Sequence, residues 1–445
     1  MAKASFAKNT FYTLVRMIVG IVISLVTTIL IARLLGPEGQ GLYSLIILLP
    51  SMLLTFMNLG IGVSTAYYVG KDEVDLHTVY KTNILSNIIL TILSIIIGVI
   101  FVLFFREQFL GGAPVLLLLL ALSNVPFLLL NQSLQGIFQG KQDFESFNVT
   151  LIIGHIIKLI AVIFLLVVFD LGLNGAIYSY VISNIIVYIL TIYLLNKKHG
   201  ARYKLGTFSI ELFKKTIVYG LKSHLSNIAT FLNYRAALLL LAFFINPIAV
   251  GIYVAAVNVA ERLWVVSQAI SSVLFPKITS LTDEDSRNKI TSILSRNILF
   301  LSIIFGFALF VLSDLAITIL YGQKYEEAGL VLMLLIPGII LGSNSKVLSN
   351  DIAGRGMPEI NMYISILNLV INVVLNIIFI PKYGLSGSAI ATTIAYGFDF
   401  FAKIIMFKRI THLPYREFLI ITKEDIQLYI KYLKKMTKKI KLKTN

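Results

Sequence analysis

Ile31–Ser44 reads IARLLGPEGQGLYS and stands between two long apolar runs. At a spacing of 210 residues the chain returns to the same theme as Leu241–Ala255, LAFFINPIAVGIYVA. Ala32 aligns with Ala242, Pro37 with Pro247, Gly41 with Gly251 and Tyr43 with Tyr253. A second echo follows in the same order, Gly172-Leu173-Asn174-Gly175 against Gly384-Leu385-Ser386-Gly387, at a spacing of 212. Two landmarks with nearly one offset predict one structural unit used twice.

Composition says what solvent that unit meets. Of 445 residues, 57% are hydrophobic and 13% charged, whereas a soluble protein carries about 25% charged residues. The apolar residues gather in runs of roughly twenty, the length of a helix that crosses a bilayer. The fold class is therefore an all-α polytopic membrane protein. Cysteine is absent, which removes disulfides and thiolate metal sites. The first apolar run follows Lys3, Lys8 and Arg16 and continues to Leu35. It is too long for a signal-peptide core and reads as a retained helix.

The runs predict about 12 spans, near 11–35, 41–69, 82–105, 114–137, 148–169, 174–195, 216–245, 248–275, 297–320, 328–350, 361–380 and 385–409. Pro37, Pro247 and Pro381 fall in tight turns; Pro50, Pro126 and Pro337 fall inside spans, where a proline frees a carbonyl and kinks the helix. Lysine and arginine concentrate in alternate connections, including Lys71, Lys81, Lys141, Lys197, Lys198, Arg202, Lys204, Lys277 and Lys289. The opposite connections hold mainly Arg33, Arg106, Lys324 and Lys382. Positive charge stays in the cytoplasm, so both termini are expected there. Six spans per half then make two parallel six-helix repeats about an axis along the membrane normal. The expected divisions are 1–205, 206–412 and a basic tail at 413–445. From Ile426 to Asn445 the tail has seven lysines and no acid, with apolar residues at helical spacing. That pattern suits an amphipathic helix on an anionic leaflet, or a solvated end that enforces topology.

No enzyme or nucleotide motif is embedded in a suitable context. Gly60-Ile61-Gly62 lies in an apolar run, and Asp283-Glu284-Asp285 reads as a solvated loop. Ionisable residues inside spans carry the information, because each costs about 2.5–3.5 kcal/mol on insertion and should face a cavity or a partner. Arg16 is in span 1. His155 and Lys158 are at i and i+3 in span 5, on one helical face. Arg235 lies in span 7, Glu261 and Arg262 in span 8, Asp399 and Lys403 in span 12. Lys222 and Lys346 lie near span ends, from which they can snorkel. Arg235 and Glu261 fall at similar depth and can pair, as can Asp399 and Lys403. A surplus of cations remains and calls for anions from elsewhere. Asn131, Gln132, Gln135 and Gln139 in span 4, Asn368, Asn372 and Asn376 in span 11, and Tyr178, Tyr180, Tyr188 and Tyr193 in span 6 supply interhelical hydrogen bonds or a wet cavity for sugar hydroxyls.

The span ending Ala32-Arg33-Leu34-Leu35-Gly36-Pro37, followed by Gly39, Gly41 and Tyr43, resembles the opening of Wzx-type polysaccharide-biosynthesis flippases. These belong to the multidrug/oligosaccharidyl-lipid/polysaccharide exporter superfamily, and the resemblance covers essentially the whole chain. It implies two bundles around a central cavity that work by alternating access. It implies transfer of a polyprenyl-diphosphate-linked oligosaccharide across the cell membrane, with polysaccharide polymerase or export machinery as partners. It implies that cavity cations hold the diphosphate; Arg16, Lys158, Arg235 and Arg262, with His155, occupy plausible positions. Glu261 and Asp399 are either ion-coupling groups or structural pairs. No cofactor, metal or nucleic acid is expected. The alternatives are a lipid II flippase, disfavoured by the absence of two further helices, and a multidrug or cation exporter, disfavoured by the lack of an early membrane carboxylate. A polymerase or ligase would need a sizeable outer loop, which the short connections do not provide.

Overall fold

The computed structural model describes residues 2–427 apart from 73, together with 429; the side chains of 2–18, 222, 223, 272, 273 and 276 stand outside that description. The expected amphipathic helix over 426–445 therefore lies outside the described residues from 430 onward, as does the Arg16 side chain. Among the described residues the secondary structure is helical throughout, with no strand. The helices are α1 (Ala2–Met57), α2 (Ile61–Gly70), α3 (Leu76–Phe109), α4 (Val115–Leu122), α5 (Val125–Gly140), α6 (Phe144–Val162) and α7 (Gly172–His199). The second half of the chain adds α8 (Ile210–Phe244), α9 (Pro247–Ala260), α10 (Trp264–Ser280), α11 (Glu284–Val311) and α12 (Ser313–Tyr321). It closes with α13 (Glu327–Gly354), α14 (Pro358–Thr411) and α15 (Tyr415–Leu419).

Ten helical stretches among the described residues are long and apolar enough to cross a membrane. Two of them, Val19–Met57 with 39 residues and Pro358–Thr411 with 54, are too long for one crossing. Each is broken at one glycine, Gly36 (φ 69°, ψ −179°) and Gly384 (φ 58°, ψ −135°). A side chain there would clash with its own backbone, so glycine lets the chain reverse without a longer loop. Counting the segments on both sides of each break recovers twelve spans. One sequence boundary moves. The run 41–69 is interrupted between Met57 and Ile61, and α2 continues it. Pro126 lies inside a span as expected, Val115–Gly140, in the first turn of α5 just after the break that follows Leu122, where its missing N–H leaves no hydrogen bond unmade.

The exposed faces of the helices are apolar, and small and polar residues share the buried faces with aliphatic ones. On α3, Ile89, Ile92, Ile96, Ile100 and Leu103 face outward, while Asn83, Ser86, Asn87, Thr91, Ser94 and Gly98 are buried. Lipid gives no hydrophobic reason to hide Ile, so close packing and interhelical hydrogen bonds decide which face turns inward. Asn83 Nδ2 donates to Thr65 Oγ1 at 2.9 Å, and Asn87 Nδ2 to Ser133 Oγ at 2.9 Å. Thr191 Oγ1 donates to Asn131 Oδ1 at 2.7 Å, and Gln135 Nε2 to Thr150 Oγ1 at 3.3 Å. Such bonds tie α2, α3, α5, α6 and α7 together, each contributing about 0.6 kcal/mol.

Contacts cluster into two compact units. The first comprises residues 1–256, 317–328 and 376–388; the second comprises 257–316, 329–375 and 389–445. Inside the first unit the two copies of the opening motif pack reciprocally. A Cβ on Gly41 would overlap the carbonyl oxygen of Pro247 and stand 3.1 Å from Gly251 N. A Cβ on Gly251 would overlap the carbonyl of Pro37 and stand 3.0 Å from Gly41 N. Arg33 fastens the same region: its Nε donates to Leu320 O at 2.8 Å and its Nη2 to Ile319 O. It thereby satisfies carbonyls at the end of α12, where a cation also suits the helix dipole. Tyr325 donates its hydroxyl to Ala32 O at 2.9 Å.

Inside the second unit, polar clamps gather at the ends of the helices. Arg355 pairs with Asp351 at 2.6 Å, and Thr291 donates to Asp351 at 2.6 Å. After α15 the chain docks on α11 through Asp425, which takes Arg296 on both carboxylate oxygens. Burial alone would raise the Asp425 pKa, but Arg296 and the hydrogen bonds from Thr422 and Asn297 outweigh it and hold the carboxyl well below the usual range. Tyr429 donates to Asn297 Oδ1 at 2.6 Å.

Gly41→Ala and Gly251→Ala are each expected to lower the thermal midpoint in detergent by several degrees, through overpacking of about 1–3 kcal/mol or more. Gly397→Ala, whose Cβ would meet only Leu341 at 3.8 Å, is expected to leave it unchanged. Asp425→Asn is expected to speed amide exchange over Tyr415–Leu419, read by hydrogen–deuterium mass spectrometry.

Candidate functional site

In the first unit, α1, α5, α6 and α7 enclose a cavity of about 410 Å³. Its wall is polar well inside the spans. α5 contributes Asn131, Gln132 and Gln135, α7 contributes Ser183 and Asn184, and α6 contributes Thr150, His155 and Lys158. The i, i+3 spacing brings His155 and Lys158 to this one wall. Gly20 of α1 lets the imidazole approach, since a Cβ there would stand 3.3 Å from His155 Cδ2.

Lys158 has aromatic but no acidic company. Its Nζ lies 5.6 Å from the Tyr43 ring centroid and 5.8 Å from that of Tyr180. Among the described residues no carboxylate forms an ion pair with it. Tyr43 sits two residues after Gly41, so the reciprocal glycine contact also places this ring. Its buried hydroxyl has no hydrogen-bond partner. Cation–π attraction supplies about 0.5–2 kcal/mol here, less than the roughly 2.5–3.5 kcal/mol cost of a lysine at that depth. Water or an anion in the cavity must supply the rest.

The other sequence-selected residues lie elsewhere. Arg235, in α8, is half-buried and makes no ion pair among the described residues. Arg262 lies in the 3₁₀ turn Glu261–Leu263 of the second unit, with its Nε buried and without an acceptor. In that same unit Asp399 accepts from Lys403 Nζ at 2.8 Å and from the Ser345 hydroxyl. Lys346 does not snorkel: its Nζ stands 4.2 Å over the Trp264 ring, in the field of Glu261 and Asp399. Trp264 is fixed by its Nε1 donating to Ile339 O at 2.9 Å and by an edge-on contact with Tyr396 at 5.5 Å. This second cluster sets Lys346 and Lys403 against Glu261 and Asp399, with Arg262 next in sequence to Glu261, whereas the first cavity has a lysine and no carboxylate in its wall. Among the described residues no group of His, Asp and Glu is placed to hold a metal ion.

Sequence reasoning missed Trp264, read Tyr43 only as a landmark of the repeat, and read Lys346 as a snorkelling side chain. Trp264 is the single tryptophan of the chain, a signal that was available. Of the four tyrosines in α7, Tyr180 faces the cavity, Tyr188 packs on Phe127 at 5.6 Å, and Tyr178 and Tyr193 are exposed.

A family profile described as polysaccharide biosynthesis protein matches residues 6–282. The capsular polysaccharide biosynthesis protein CapF of Staphylococcus aureus is 24% identical over 409 residues, covering 91% of this chain and 99% of that protein. Among solved structures, the lipid II flippase MurJ in an inward closed conformation matches with a TM-score of 0.77 at 18% identity, covering 95% of this chain and 93% of that one. An inward-facing multidrug resistance MATE family transporter of the MOP superfamily matches with a TM-score of 0.73 at 16% identity, covering 90% and 98%. These two likenesses establish the fold. The profile takes in more than half of the chain, which is a multi-pass membrane protein belonging to the polysaccharide biosynthesis protein family.

Proposed function

We propose that the protein is a flippase that carries polyprenyl-diphosphate-linked oligosaccharide units from the cytoplasmic to the outer leaflet for cell-surface polysaccharide assembly. The observation that carries this reading is the carboxylate-free cation Lys158 in a cavity of amides, hydroxyls and tyrosine rings. A diphosphate is the anion that such a lysine lacks. Its oxygens would accept from Lys158 and from a ring N–H of His155, with Arg235 a further cation of the same unit; Arg262, in the second unit, is kept as a separate candidate. Asn131, Gln132, Gln135 and Asn184 offer amide donors and acceptors to sugar hydroxyls, and the tyrosine faces suit sugar rings. The polyprenyl tail needs no passage, because it can stay in lipid while the polar head crosses.

The chain then works as two six-span halves, 1–205 and 206–412, that alternate in access, with both termini in the cytoplasm of a cell whose plasma membrane holds it. Reciprocal packing of Pro37–Gly41 on Pro247–Gly251 supports the repeat, since two copies of one motif across a local two-fold make that contact. The capsule-related relative supports the substrate class. Polymerase and export components are the expected partners downstream, and no catalytic role is assigned to the chain.

In proteoliposomes, Lys158→Ala is expected to slow leaflet-to-leaflet movement of a labelled polyprenyl-diphosphate oligosaccharide at least tenfold, with Lys158→Arg keeping part of it. Arg235→Ala and Arg262→Ala are expected to weaken it as well. Full movement in the Lys158→Ala protein would remove the diphosphate role. The lipid II form of the substrate, run in parallel, is expected to move more slowly.

The Asp399–Lys403 pair is assigned a structural role. Breaking a buried pair costs about 3–5 kcal/mol, whereas replacing both partners with apolar residues restores most of it. Asp399→Leu and Lys403→Met are therefore each expected to lower the thermal midpoint, and the double variant to recover it. A single Asp399→Asn variant that keeps its stability but loses dependence on an imposed ion gradient would instead make Asp399 a coupling group.

A further inference from the structure

A second polar concavity lies at the lysine-rich end of the first unit, apart from the cavity above. It is an open cleft of about 510 Å³ formed by Tyr193, Asn196, Lys197, Arg202, Tyr203 and Lys204. The segment that shapes it is held in place rather than loose. Arg202 N donates to His77 Nδ1 at 3.1 Å, Lys81 Nζ donates to Gly206 O at 3.0 Å, and Ser209 N donates to Thr82 Oγ1 at 3.1 Å. Gly206 lies so close to the His77 carbonyl that a Cβ would overlap it. Lys81 also covers the Tyr203 ring at 5.2 Å.

The charges around the cleft are sorted. The acids near the end of α7 serve other bases: Asp143 takes His199 at 3.0 Å and Lys198 at 3.9 Å, and Glu145 takes Lys198 at 3.5 Å. Lys197, Arg202 and Lys204 form no ion pair among the described residues. Lys197 Nζ has only the Tyr193 hydroxyl at 3.1 Å and the face of that ring. Three cations with no acid between them, in a concave wall with two tyrosines, fit a phosphate group. From the cleft a lane of exposed apolar side chains runs back along one face of α7 through Ile189, Ile186, Ile182 and Tyr178. At 1.5 Å per residue it extends about 22 Å from Tyr193, the scale of a lipid chain. A soluble phosphate would have no use for that lane.

We propose that this cleft binds the phosphate headgroup of a membrane lipid, with Lys197, Arg202 and Lys204 on the phosphate and the chain along Tyr178–Tyr193. The site is independent of what the cavity transports. Two lipids share the chemistry, an anionic glycerophospholipid and a polyprenyl phosphate, and the test separates them.

Native mass spectrometry of the full chain in detergent, with phosphatidylglycerol and undecaprenyl phosphate offered separately and then together, reads the bound lipid directly. The intact protein is expected to retain at least one of them, and the one kept in competition names the source. Lys197→Ala/Arg202→Ala/Lys204→Ala is expected to retain at least fivefold less. Arg202→Glu, which leaves its backbone N–H on His77, is expected to act in the same direction. Lys277→Ala/Lys289→Ala/Lys382→Ala removes the same charge elsewhere and is expected to retain lipid as the intact protein does. Equal loss in that control, no retained lipid in the intact protein, or displacement of the lipid by millimolar inorganic phosphate would each overturn the proposal.

Discussion

Where Gly41 meets the carbonyl of Pro247 and Gly251 meets that of Pro37, two backbones come closer than any side chain permits. Much of the first unit hangs on that contact. It fixes the start of α9, whose first turn is capped by Asn246 accepting from Ala249 N at 2.9 Å. It holds the segment after Gly36, which directs Arg33 to the end of α12 and Tyr43 toward Lys158. In a bilayer such contacts replace the hydrophobic effect as the source of specificity, because lipid tails are as apolar as leucine. Small residues allow the approach, and the surrounding polar groups then find partners within reach.

The second constraint is charge. Every ionisable group placed inside the spans must be paired, hydrated or ready to meet a ligand, and the two units meet this demand differently. The second unit sets Lys403 against Asp399 and Lys346 over Trp264 near two carboxylates. The first unit leaves Lys158 with two aromatic rings and a polar cavity. Carboxylates stand beside the lysines in one case and are missing from the cavity in the other. That asymmetry separates a cluster of mixed charge from a cavity that can accept an anion.

Much of the architecture was legible in the sequence because a membrane imposes one rule on every span, a length of about twenty apolar residues. The turn at Gly36-Pro37 and its partner at Asn246-Pro247 announced themselves as repeated punctuation. The face of α6 that carries His155 and Lys158 was legible for a similar reason, since i and i+3 share a side of any helix. What could not be read was the company those residues keep. Tyr43 reaches Lys158 only once α1 and α6 are packed, and Arg33 meets a carbonyl 287 positions away. Lys346 was misread because depth along a helix says nothing about the indole above it.

The most direct measurement is a cryo-electron microscopy map of the protein with a polyprenyl-diphosphate oligosaccharide bound. The account predicts diphosphate density against the Lys158 ammonium beside the Tyr43 and Tyr180 rings, with sugar density toward Asn131 and Gln135. Diphosphate density remote from Lys158, or Lys158 turned onto a carboxylate of its own chain, would contradict it.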